Sequence, residues 1–117
     1  MSKYQIQRYK TTLTIPDGGN TIDSAAVGLN GLLKGIIPVV PALTSAGTLT
    51  VTIKDKDGYT VFSKSSIASS TSTGLFVDSN NQPYELPLSG DHTITVTASG
   101  NQTGAKNISV VLLIQRG

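Results

Sequence analysis

The chain carries one histidine, His92, seven carboxylates (Asp17, Asp23, Asp55, Asp57, Asp78, Glu85 and Asp91) and no cysteine. Few chemistries can be built from that set. A nucleophilic triad needs its histidine beside a serine held on strained backbone. The run Ser89-Gly90-Asp91-His92 has no G-x-S-x-G elbow, so His92 reads as a polar residue entering a strand. A zinc site takes three or four ligands, mostly His and Cys, which one histidine cannot supply. Glycoside hydrolysis needs two facing carboxylates, and nothing marks a partner for Glu85, the sole Glu. Asp55-Lys56-Asp57-Gly58 begins like a calcium loop but lacks the closing bidentate Glu. A hairpin turn whose Asp side chain accepts neighbouring backbone N–H bonds fits it better. Gly28, Gly31 and Gly35 are not followed by the Lys-Ser/Thr pair of a phosphate loop. Without cysteine, disulfides and thiolate metal sites are excluded. The expectation is a protein that is not an enzyme, with no catalytic residue, no metal and no cofactor.

Side chains suited to binding are easier to find. Aromatics are few, with no Trp, and Tyr59, Phe62, Phe76 and Tyr84 are dispersed. Tyr4, Arg8, Tyr9 and Lys10 instead gather in one terminal segment. Tyr and Arg are enriched at protein interfaces because each buries large area and still offers donors. These four residues are the candidate interface. The other basic residues are scattered and form no run, whereas nucleic-acid binding relies on clustered charge. No nucleic-acid partner is expected. Charged residues make up 14% of the chain, against about 25% in a typical domain. Such a surface meets another protein at low desolvation cost, because few ions must lose water. No stretch reaches the length of about 18 apolar residues needed for a membrane span, so no membrane partner is expected. The first ten residues are polar and lack the apolar run of a secretory signal. Synthesis in a cytoplasm is the expectation.

The elements that must position these groups are strands. The length, 117 residues, suits a single domain spanning residues 1–117. Leu49, Val51 and Ile53 alternate with threonines, as do Ile94, Val96 and Ala98, and period two marks half-buried strands. Asp55 to Gly58 joins the first of these runs to a returning strand at Tyr59 to Ser63, with Gly58 at positive φ. Ile108, Val110, Leu112 and Ile114 form one face of the last strand, and Val111 and Leu113 make its other face apolar. That strand is expected to be central and covered on both sides. Tyr4 and Ile6 differ in parity from Leu13 and Ile15, which points to a bulge near Lys10. Pro38 and Pro41 place Gly35 to Pro41 near a sheet edge. Ser65 to Thr73 reads as an exposed loop, and Gly74 to Val77 and Tyr84 to Leu88 as short strands. The whole predicts an all-β, antiparallel β-sandwich, jelly-roll or Ig-like, of about seven to eight short strands. Its core would contain Leu49, Val51, Ile53, Val61, Ile94, Val96, Ile108, Val110 and Leu112.

Two stretches carry a family likeness. Leu32-Leu33-Lys34-Gly35-Ile36-Ile37-Pro38 with Leu49 to Phe62, and Gly90 to Val96 followed by Ile108 to Ile114, resemble small accessory structural proteins of tailed bacteriophages, among them capsid decoration (cement) proteins. The resemblance implies a virion protein, made in the host cytoplasm, that binds the major capsid protein, copies of itself or both. It implies a homo-oligomer and no catalytic residues. A second class stays open, an adhesive or carbohydrate-binding β-sandwich module, for which loop aromatics facing one cleft would be the sign.

Overall fold

The computed structural model describes residues 5–116. Ten strands run through them: β1 (Gln5–Ile15), β2 (Thr21–Asp23), β3 (Val27–Gly28), β4 (Gly31–Val40), β5 (Thr48–Asp55), β6 (Thr60–Ala68), β7 (Thr71–Ser72), β8 (Leu86–Leu88), β9 (Asp91–Ala98) and β10 (Lys106–Arg116). They form two antiparallel sheets. The first is ordered β1-β10-β4-β7 with β8 also on β4; the second is β2-β9-β5-β6 with β3 also on β9. The pairs β2/β3 and β7/β8 each occupy one place, so ten segments fill eight positions. Only the β5–β6 hairpin stays within a sheet; every other connection between positions crosses from one sheet to the other. That is the jelly-roll arrangement, which closes two Greek keys around one core. The predicted antiparallel β-sandwich is observed, in its jelly-roll form.

Period two explains the core. Leu49, Val51, Ile53, Ile94, Val96, Ile108, Val110 and Leu112 are fully buried, together with Ile15, Leu33 and Ile36. Threonines on the other parity of β5 and β9 face outward, where β-branched side chains suit a half-wet pleated surface. Val61 departs from expectation: it is only half-buried, and Phe62 takes the core place. The cause is a bulge. Ile53 pairs with Phe62 but Lys54 pairs with Thr60, so Val61 is the extra residue. A second irregularity lies between Leu49–Ile67 and Val51–Lys64, where Ser66 takes a positive φ of 60°. Two slips in one strand erase its alternation. For that reason Ser65 to Thr73 reads as a loop in sequence, whereas β6 runs to Ala68 and β7 follows. Gly74 to Val77 forms isolated bridges rather than a strand, and the strand expected from Tyr84 begins at Leu86.

Two further expectations are corrected by register. No bulge occurs near Lys10: β1 pairs β10 without a shift from Gln5–Arg116 to Ile15–Lys106. Ile6 simply faces outward, 54% exposed. The bulge lies in β4 at Lys34, between the Leu113–Gly35 and Ile114–Leu33 pairs. Gly35 to Pro41 is likewise no edge, since β4 lies between β10 and the short β7 and β8. Pro38 is tolerated for a geometric reason. Ile36 exchanges both backbone hydrogen bonds with Leu75, at 3.0 and 2.7 Å, on the side away from β10. Backbone groups alternate sides along a strand, so the Pro38 nitrogen also points away from β10 and removes no bond from that ladder.

One buried polar residue ties the loops together. Gln102 is 2% exposed. Its Nε2 donates to Gly100 O at 2.8 Å, and its Oε1 accepts from Thr44 N at 2.9 Å. Its backbone exchanges bonds with Gly18 and Gly19 at 2.7 and 2.8 Å. Replacing Gln102 by Leu keeps the volume but leaves the half-buried Thr44 N–H without its acceptor. The expected cost is about 2 kcal/mol, read as a Tm lowered by about 10 °C in a thermal melt.

Candidate interaction surface

Asp55 and His92, weighed for metal binding and catalysis, make structural hydrogen bonds. The Asp55 Oδ1 accepts the backbone N–H groups of Asp57 and Tyr59 at 3.0 and 2.9 Å, and Gly58 has φ 85°. This is the hairpin turn, locked by its own side chain. His92 is buried, 2% exposed, and its Nδ1 lies 2.8 Å from Gly90 O. A carbonyl only accepts, so Nδ1 carries the proton. In register, His92 sits beside Val27 and Asp55. Among the described residues, no group of three or more His, Asp or Glu is placed to hold a metal ion. Nor is any helix there long and apolar enough to cross a membrane.

The predicted interface residues divide between faces. Tyr4 lies outside the described residues. Tyr9 shares the parity of Leu13 and Ile15, faces inward and packs against the core. Arg8 and Lys10 face outward with Ile6 and Thr12. The segment is therefore not one cluster: its cations join the outer face of the first sheet, and its described tyrosine leaves that face.

That outer face is apolar at its centre. Register lays out three rows: Arg8, Leu113 and Gly35; Lys10, Val111 and Ile37; Thr12, Ser109, Val39 and Ser72. Val39 is 41% exposed. Val111 is 2% exposed although it lies outside the core cluster, flanked by Lys10 and Ile37. Phe76, 48% exposed, lies across Gly35 and Gly74. A Cβ at either glycine would overlap its ring, so the missing side chains of the two glycines make room for Phe76. The sequence signal for this face was the doubled apolar pattern of Val111 and Leu113. The contributions of Ile37, Val39 and Phe76 had no periodic signal, because Pro38, the Lys34 bulge and the absence of a strand at Phe76 interrupt it.

Charge is segregated on the same sheet. Five of the chain's nine basic residues, Arg8, Lys10, Lys34, Lys106 and Arg116, lie in its strands, and none of the seven acidic residues does. Lys34 Nζ pairs with Glu85 at 2.8 Å, the sole ion pair among the described residues. The hydrogen bond and the charge of Lys34 hold the Glu85 carboxyl below its ordinary pKa. Cations that are scattered in sequence thus share one sheet, with Arg8 and Lys10 together on its outer face.

A concavity of about 380 Å³ opens between β6 and the Asp78–Leu86 segment. Ser63, Lys64, Asp78 and Tyr84 line it. The Tyr84 ring meets Phe62 edge-on, with centroids 5.3 Å apart. Burial, then the nearby Asp78 charge, raises the Tyr84 pKa.

No protein-family model matches the chain, and no curated protein matches it in sequence. Solved structures do. The VP2 subviral particle of infectious bursal disease virus aligns at 15% identity and TM-score 0.46, covering 96% of this chain and 33% of that one. The T13 particle of the same virus aligns at 17% identity and TM-score 0.46, over 97% and 31%. The Yersinia pseudotuberculosis-derived mitogen aligns at 13% identity and TM-score 0.43, over 92% and 86%. The chain spans about a third of the length of the viral chains it matches.

Proposed function

We propose that this chain is a non-enzymatic structural protein of a virion, a capsid decoration protein that binds and stabilises an assembled head shell. The observation that carries the reading is the outer face of the first sheet. An apolar centre of Ile37, Val39, Leu113 and Phe76, bordered by Arg8 and Lys10, has the composition of a docking surface: apolar area at the middle and charge at the rim. The short runs resembling phage accessory proteins point to the same class by analogy. The hydrogen bonds of Asp55 and His92 to neighbouring backbone groups accord with a structural use of both residues.

Binding to the assembled form alone would stabilise the shell by mass action. The test is co-sedimentation with expanded shells prepared without the chain. Retention by shells but not by free shell subunits is expected; equal retention by neither removes the reading. A second reading, a saccharide-binding module, is favoured by the cleft at Tyr84, since an aromatic wall with a carboxylate and hydroxyls suits a sugar. Binding to an immobilised glycan panel, lost in Tyr84→Ala, would select it.

A further inference from the structure

Among the described residues β1 has a free edge: it is the first strand in the order of its sheet and pairs only with β10. Which of its backbone groups face that edge follows from the ladder. Ile36 gives its N–H and C=O to Leu75, so its pairing with Leu112 is a non-hydrogen-bonded one. Leu112 must then turn its own groups toward Tyr9, its partner in β1. Tyr9, Gln7 and Thr11 therefore bond β10. The N–H and C=O groups of Ile6, Arg8, Lys10 and Thr12 point the other way, and among the described residues no backbone hydrogen bond engages them. Their side chains are also those of the cationic outer face.

An unbulged edge of this length is a template for another strand. Its charge chooses the occupant. A second copy laid antiparallel would set Arg8 and Lys10 against the same cations, and like charges directly opposite repel. A strand bearing carboxylates at alternate positions meets them favourably, and no carboxylate of the sheet's own strands competes.

We infer that β1 accepts an extended, acidic segment of a different protein as an added antiparallel strand, bonded to the backbone of Ile6, Arg8, Lys10 and Thr12, with acidic side chains opposite Arg8 and Lys10. This deepens the decoration reading by naming the edge and the kind of partner, but its test needs no shell, so the two can fail separately.

The probe is a capped octapeptide of alternating Val and Glu, titrated into the full chain and followed by NMR and amide exchange. In the free protein, the amides of Ile6, Arg8, Lys10 and Thr12 should exchange fast and those of Gln7, Tyr9 and Thr11 slowly. The peptide should slow the first set. Lys10→Gln removes the charge and should weaken binding about threefold. Lys10→Pro removes the charge and also the outward N–H, leaving the β10 ladder whole, and should weaken it at least about tenfold. Equal affinity of the two variants overturns strand addition. So does peptide protection confined to other strands, or the reverse exchange pattern in the free chain. Tighter binding of a single-stranded oligonucleotide than of the peptide, unaffected by Lys10→Pro, would replace a protein partner with a nucleic acid.

Discussion

Replacing Val110 by Asp should abolish folding. Val110 is fully buried at the middle of β10, between β1 and β4. The core cluster it belongs to is made of hydrophobic side chains with no charged group among them, so a carboxylate there finds no cation. A buried unpaired charge costs several kcal/mol even after its pKa rises to neutralise it. Loss of the valine packing adds to that. The sum, at least about 5 kcal/mol, is comparable to the whole stability of a domain of this size. Circular dichroism of the variant should lack the cooperative melt of the parent. A folded variant with a Tm within a few degrees would mean that the two sheets do not close over Val110. The nearby Val111→Asp is a useful contrast, since its side chain lies on the outer face beside Lys10 and should cost less.

The second large effect is on binding. Reversing both cations, Arg8→Glu with Lys10→Glu, should reduce retention on shells by about 100-fold while the Tm moves little. Both side chains are outward on β1 and make no ion pair among the described residues, so folding draws little from them; surface substitutions of this kind usually stay within about 0.5 kcal/mol. At an interface the same change replaces two attractions by two repulsions, each worth about 1–2 kcal/mol. Raised salt should weaken the parent and strengthen the reversed variant, because screening acts on both signs. Undiminished, salt-independent retention would remove the cationic border from the interface.

The parts of the fold legible in sequence were those where alternation runs unbroken. Thr48 to Asp55, Asp91 to Ala98 and Lys106 to Arg116 declare their strands and their buried faces directly. The reading fails where one residue is added to a strand. Val61, Ser66 and Lys34 each shift the parity, and a pattern of period two carries no sign of which residue is the extra one. Pro38 misled for a related reason: proline bars a strand from the ladder only on the side its nitrogen faces, and that side depends on register. The site was half legible. Arg8 and Lys10 stood out by type, but which face they share, and that Tyr9 leaves it, depended on β1 keeping one register along its whole length. The bias of charge toward one sheet was invisible, because Lys34, Lys106 and Arg116 join the sheet of Arg8 and Lys10 only when β4 and β10 pair. Gln102 gave no signal at all; its role comes from three loops meeting at one end of the sandwich.

The central claim is that this molecule acts by contact, through β1 and the outer face of the first sheet. It is tested most directly by amide exchange of the chain bound to assembled shells, compared with the free chain. Protection should appear at Ile6, Arg8, Lys10 and Thr12, with the amides of β5 and β9 unchanged. Protection centred instead on Ser63 to Ser65 and Asp78 to Tyr84, with β1 still exchanging freely, would contradict the claim.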